Sequence, residues 1–245
     1  MPFITAPPLS HRGGRATNQD HAGWREAGGR TCWVVADGLG GHASGEIASE
    51  AAVEGALAAF EAAPRTDAET VARCVTRAQS VLRALMEGSP DLDSMRTTLV
   101  VLVASATEAR WAHVGDSRLY VFREGRIALR TTDHSVPQAL VEAGEISPAE
   151  VRHHPDRNRL LRAVGGNEPP APTVSEAHPV RPGDAYLLCS DGFWELVEED
   201  EMEADLAATS TPEAWLSAME ARLGARASGR HDNYSALAIW ASPTS

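Results

Sequence analysis

The chain has 245 residues, 43% of them hydrophobic, which suits one large domain with a proper core. Acids outnumber Lys and Arg by 34 to 22, and the formal charge of −12 disfavours a nucleic-acid backbone or an anionic membrane as the main partner. Cys32, Cys74 and Cys189 have no CxxC spacing, so neither a disulfide framework nor a zinc site is expected, and a reducing compartment is. Met1-Pro2-Phe3-Ile4 lacks a basic region leading into an apolar run, and no stretch reaches membrane-spanning length. A cytoplasmic, monomeric chain with no membrane insertion is expected, with residues 1–245 as a single domain.

In chain order, Thr31–Ala36 reads as an apolar strand leading through Gly-rich residues into an Ala-rich helix over Gly45–Ala62. Thr66 and Glu69 have capping-box spacing and predict a second helix running toward Met86 and ending at Gly88-Ser89-Pro90. The β-branched, apolar runs Thr97–Ala104 and Arg110–Val114 are strands. Leu119–Arg123 and Ile127–Arg130 flank Glu124-Gly125-Arg126 and read as a hairpin. Ser135 before Pro137 and Ser147 before Pro148 and Glu150 predict two short helices. Strands return at Thr173–His178 and Ala185–Cys189, then helices at Glu199–Ala208 and Pro212–Leu223, then a strand from Tyr234 to Trp240. Consecutive hairpin-connected strands imply antiparallel pairing. Two such sheets stacked between helices, a four-layer αββα sandwich of the α+β class, would account for strands that are apolar on both faces.

Four acids sit at strand ends. Asp37-Gly38 follows Trp33–Ala36, Asp191-Gly192 follows Tyr186–Ser190, Asp116 follows Trp111–Gly115, and Asp232 precedes Tyr234. Carboxylates held together repel unless something positive sits among them. Mg²⁺ and Mn²⁺ are hard cations that prefer oxygen ligands, so the pattern suggests a metal-dependent enzyme.

Six motifs occur in a fixed order: Arg15–Asp20; Asp37–His42 followed by Gly45-Glu46 and Ala48-Ser49; Gly115–Arg118; Thr132–Ser135; Ser190–Gly192; and Asp232-Asn233. One Asp-Gly pair is weak, because turns use it constantly. Together the motifs resemble the metal-dependent protein Ser/Thr phosphatase family known as PP2C or PPM, bacterial type, over nearly the whole chain. The resemblance implies hydrolysis of phosphoserine and phosphothreonine on proteins, reversing a Ser/Thr kinase. It also implies a binuclear Mn²⁺ or Mg²⁺ centre and a metal-activated bridging water as nucleophile.

By the same resemblance, Asp37 bridges both ions, the Gly38 carbonyl serves one, and Asp191 and Asp232 hold the other. Asp20 binds metal-bound water from behind these ligands, and Arg15 grips phosphate through its planar fork. Asp116 with Asp191 suggests a third ion, against the alternative that Asp116 and Arg118 form a structural pair or turn. Eukaryotic members carry a histidine directly after the metal-binding Asp-Gly, and here that position is Leu39. His42 is a candidate proton donor near the substrate, against a purely local role in the Gly-rich turn. Asp133 and His134 read as structural supports of a flap over about 135–165, whose charges suit phosphopeptide selection or gating, or an ordinary solvated face. The expected partners are Ser/Thr-phosphorylated proteins, including a cognate kinase or its substrates.

Three rivals are weaker. An aspartyl-phosphate hydrolase would want a second acid two residues after Asp37, where Leu39 stands. A two-metal nuclease would want a basic aromatic groove. A pseudophosphatase that only binds phosphoproteins would be marked by a lost metal ligand, and Asp37, Asp191 and Asp232 are all present.

Overall fold

The computed structural model describes residues 2–39, 42–166 and 168–242, apart from the side chains of His42, Ala43 and Pro90. Its elements in order are β1 (Phe3–Thr5), β2 (Leu9–His11), β3 (Asp20–Ala27), β4 (Arg30–Leu39), α1 (His42–Ala62) and α2 (Ala68–Gly88). Next come β5 (Arg96–Thr97), β6 (Leu99–Ala104), β7 (Glu108–Val114), β8 (Arg118–Arg123), β9 (Arg126–Arg130) and α3 (Val136–Glu142). The chain closes with β10 (Val164–Gly165), β11 (Thr173–Val174), β12 (His178–Pro179), β13 (Ala185–Cys189), α4 (Asp191–Trp194), α5 (Glu199–Ala208), α6 (Pro212–Arg226) and β14 (Tyr234–Ala241).

The strands form two antiparallel sheets. One runs β1-β14-β13-β8-β9 with β2 also on β14. The other runs β10-β5-β4-β6-β7-β11 with β3 on β4 and β12 on β7. The period-2 geometry of a strand sends alternate side chains to opposite faces, so each central strand feeds two apolar layers. In β4, Cys32, Val34 and Ala36 pack under α1 and α2 with Phe60, Val71 and Leu82. Trp33 and Val35 point the other way, into the space between the sheets, where they meet Leu188 and Ile239. In β13, Leu188 faces that inner layer while Leu187 and Cys189 face Trp194, Trp215 and Met219 of the helices beyond. Helices, sheet, sheet and helices make the four-layer αββα sandwich.

Several local expectations are corrected. Asp67, not Thr66, caps α2: its carboxylate accepts from the Thr70 N–H at 2.8 Å, so the capping-box spacing had the start one residue early. α1 begins at His42, three residues before Gly45. The segment after Ser147 is a 3₁₀ turn, Pro148–His153, although Glu150 does reach back to the Ser147 N–H. The strand expected over Thr173–His178 splits into β11 and β12, both pairing with β7. β1, β2 and β3 went unpredicted. β3 carries His21, Arg25 and Glu26 on a half-exposed surface and lacks a continuous apolar run.

Candidate active site

The backbone around Asp37 is fixed on both sides. Its N–H donates to Thr98 Oγ1 at 2.9 Å, and its carbonyl accepts from the Thr98 N–H and from Thr97 Oγ1, both at 2.8 Å. Thr98 Oγ1 is in turn 2.7 Å from Ser117 Oγ, tying the end of β4 to the loop that carries Asp116. Gly38 donates to the Gln19 carbonyl at 2.9 Å, and a Cβ there would lie 1.9 Å from the Gly45 carbonyl oxygen. Close approach of α1 is therefore what demands glycine at 38, ahead of any freedom to turn its carbonyl.

The other acids arrive from separate elements. Asp20 is the cross-strand partner of Asp37 and accepts a 2.6 Å bond from Ser190 Oγ. Asp191 opens α4 directly after β13. Asp116 sits in the β7–β8 turn, where Gly115 takes φ +101° and Trp194 Nε1 donates to the Asp116 carbonyl at 2.9 Å. Asp232 immediately precedes β14 and accepts from Arg15 Nη2 at 2.6 Å. Asn233 next to it is the buckle of the region. It accepts from the Gln19 N–H and donates to the carbonyls of Arg12 and Thr17, holding the Arg15 segment against β14.

These parts converge on one cavity of about 220 Å³, lined by Arg15, Asp37, Gly38, Asp116, Asp191 and Asp232. Leu39 lines it too, as do Asn158 and Leu160 from the segment expected to form a flap. Asp20 lies behind Asp37 and Asp191, outside the lining. The side chain of His42, like Gly40 and Gly41, lies outside the described residues. Sequence reasoning gave no role to Asn158, Leu160, Thr98, Ser117, Ser190 or Asn233. Ser117, Ser190 and Asn233 carried a signal as members of the Gly115–Arg118, Ser190–Gly192 and Asp232-Asn233 motifs, whereas Thr98, Asn158 and Leu160 carried none.

The electrostatics favour a cation. Burial, with Asp191 and Asp232 nearby, lifts Asp20 to about 7 despite the bond from Ser190. Asp191 is likewise raised to about 7 by burial and by Glu195 and Asp232. Asp37 and Asp116 go well above the ordinary carboxylate range, through burial and then neighbouring acids. The charge of Asp191 is among the causes that raise Asp37, a repulsion that a proton or a cation relieves. Asp20 Oδ1 and Asp191 Oδ1 are buried without a hydrogen-bond partner, the condition a buried carboxylate avoids unless a ligand meets it. Among the described residues no three acid, histidine or cysteine side chains form a ready-made cage for one ion. An open all-oxygen site completed by water and backbone carbonyl suits Mg²⁺ or Mn²⁺ better than zinc.

Arg118 does not pair with Asp116. Its guanidinium makes a fork on Asp133, with bonds of 2.9 and 2.7 Å, and stacks 3.4 Å from the Trp194 ring centre. His134 N–H donates to the Gly115 carbonyl, and His134 Nδ1 accepts from the Gly115 N–H. The ring stacks on His113 at 4.6 Å, and burial holds its pKa down at about 4. Asp133 and His134 thus clamp the turn that presents Asp116.

Fold and site together define the class of αββα sandwiches with an acid-lined cavity at the strand ends. Within that class, the family model for protein phosphatase 2C matches residues 9–226. The serine/threonine protein phosphatase PstP of Mycobacterium tuberculosis is 38% identical over 206 residues, covering 83% of this chain and 38% of that protein. The serine/threonine phosphatase stp of Listeria monocytogenes is 35% identical over 203 residues, 80% of either chain. The crystal structure of Mycobacterium tuberculosis PstP/Ppp superposes with a TM-score of 0.85 at 33% identity, covering 98% of this chain and 99% of that one. A PstP catalytic domain in complex with two manganese ions superposes with a TM-score of 0.83, again at 33% identity and with 98% and 99% covered. The chain spans 38% of the length of PstP as a whole protein. It belongs to the protein phosphatase 2C family.

Proposed function

We propose that this chain is a metal-dependent phosphatase that hydrolyses phosphoserine and phosphothreonine on proteins, with 1–245 acting as one catalytic domain. The observation that carries this reading is the convergence of Asp37, Asp116, Asp191, Asp232 and Arg15 on one cavity, with the buried acids proton-hungry. Asp37, the Gly38 carbonyl, Asp191 and Asp232 would hold two Mn²⁺ or Mg²⁺ ions, and Asp116 with Asp191 a third. When bound, the ions would supply Lewis-acid activation of a water and neutralisation of the phosphate charge.

The chain's own residues do the rest. Asp20, fixed by Ser190, accepts hydrogen bonds from water behind the ion ligands. Arg15 is more than half exposed and held by one ion pair to Asp232. Its fork can turn to a pair of phosphate oxygens once a cation takes over that acid. Leu39 offers no proton, so the leaving oxygen takes one from water or from His42. Residues 135–165 close on themselves through the Ser135–Leu160 bridge and the bond from Leu161 N–H to the His134 carbonyl. They act as a flap that puts Asn158 and Leu160 over the cavity. Cys32, Cys74 and Cys189 are buried and free, which agrees with a reducing compartment, and the chain would act there as a monomer on phosphoproteins marked by a Ser/Thr kinase. No helix among the described residues is long and apolar enough to cross a membrane. A binding-only role is not favoured, because no acid of the set is missing.

The test is release of phosphate from an aryl phosphate and a phosphothreonine peptide, with Mn²⁺, with Mg²⁺ and with chelator. Turnover that depends on metal is expected. A folded, Mn²⁺-loaded protein that releases nothing, or one indifferent to chelator, overturns the reading.

A further inference from the structure

A second cavity of about 400 Å³ borders the first, lined by Arg96, Leu161, Arg162, Gly165, Gly166 and Glu168 together with a Pro169–Ala171 wall. The two are joined by pairing. Leu39, on the wall of the acid-lined cavity, is the direct cross-strand partner of Arg96, and Arg96 is paired in turn with Gly165. Directly paired residues present their side chains on the same face of a sheet, so Arg96 emerges beside Leu39. Leu160 lines the first cavity and Leu161 the second.

Both arginines are positioned without being neutralised. The Arg96 guanidinium lies flat on Gly166, where a Cβ would come within 3.0–3.2 Å of three of its atoms, and φ +70° at that residue further favours glycine. Arg162 Nη1 donates to the Ala171 carbonyl at 3.2 Å. Neither forms an ion pair among the described residues, whereas Arg118, Arg123, Arg152, Arg222 and Arg226 all do. Glu168 is the acid on this rim, leaving a positive balance on a chain of net charge −12. Leu161 is 59% exposed, the most exposed large hydrophobic side chain described, and stands directly beside Arg162.

Resting on the proposed phosphatase reading, we propose that this groove is a specificity subsite for the polypeptide flanking the phosphorylated residue, and that it selects Asp or Glu there. An extended segment leaving the acid-lined cavity past Leu39 meets two uncompensated guanidinium groups and an apolar ledge. A carboxylate gains charge-assisted hydrogen bonds there that a neutral side chain does not.

Two phosphothreonine peptides test it, identical except that one carries Asp and Glu on both flanks and the other Asn and Gln. The wild type is expected to favour the acidic peptide about tenfold in kcat/KM, chiefly through KM, and less at high salt. In R96Q/R162Q the ratio of the two peptides should fall to about one. E168Q should raise it, and R96E should invert it. Equal kcat/KM for both peptides in the wild type, or a ratio unchanged in R96Q/R162Q, overturns the proposal. Fluorescence anisotropy on the same peptides with chelator gives the Kd ratio independently of chemistry. If nothing is hydrolysed with Mn²⁺ the catalytic reading fails, and the Kd ratio still decides the subsite.

Discussion

Asp191 bears on stability and chemistry in opposite directions. Its buried carboxylate has an unpartnered oxygen and a pKa raised to about 7, so in metal-free protein at neutral pH it opposes folding. D191N is expected to raise Tm in chelator, to shrink the Tm rise caused by Mn²⁺, and to lower kcat at least about a hundredfold. Thermal unfolding with and without Mn²⁺, beside an aryl phosphate assay, reads all three. Gly38 has the sharpest steric demand at the site, and G38A should destabilise even the metal-free protein, because the Gly45 carbonyl that a Cβ would strike belongs to α1 backbone. A denaturant midpoint equal to wild type would contradict that. These roles differ in legibility: acids at strand ends advertise themselves in sequence, while the bonds that tie Thr98 to Asp37, Ser117 to Thr98 and Ser190 to Asp20 are seen only in the fold.

At the scale of elements, the pair Arg118–Asp133 joins the start of β8 to the segment leading into α3, with side chains 2% and 1% exposed. Removing one partner strands the other charge. R118M is expected to destabilise by about 3–5 kcal/mol, and R118M/D133L to recover much of that, as measured by urea denaturation. The sequence reading took Asp133 as a structural support of the flap and held an Asp116–Arg118 pair or turn as the alternative to a third ion at Asp116, whereas Arg118 forks onto Asp133. Spacing of two residues along a chain says nothing of which side chains meet after a turn at φ +101°. The β8–β9 hairpin was readable because Glu124-Gly125 is a two-residue turn. Both residues take positive φ, +54° and +76°, as a type I′ turn requires. Glutamate tolerates that poorly, so E124N should stabilise by roughly 0.5–1 kcal/mol in the same measurement.

For the molecule as a whole, the acid cluster links pH to metal. Asp20 and Asp191 titrate near 7 in the metal-free fold and near 3.8 when unfolded, so between those values the folded state binds more protons. Their contribution to metal-free stability is therefore present below about pH 4 and lost as pH rises toward 7. A cation must displace those protons, so the Mn²⁺-induced rise in Tm should be larger at pH 7.5 than at pH 5. Equal shifts at both values would contradict a shared proton-and-metal site. The sequence by itself pointed to the layers: β-branched runs apolar on both faces, joined by hairpin turns and flanked by helical segments, are accounted for by two antiparallel sheets stacked between helices. It also determined the acids and their order, since each is written locally as a strand end. Only the tertiary structure decided what surrounds them. That Asn233 holds the Arg15 segment, that Gly38 answers to α1, and that Arg96 and Leu161 border the cavity all depend on contacts between residues distant in the chain. Such contacts leave no local pattern, because they are set by how the layers pack.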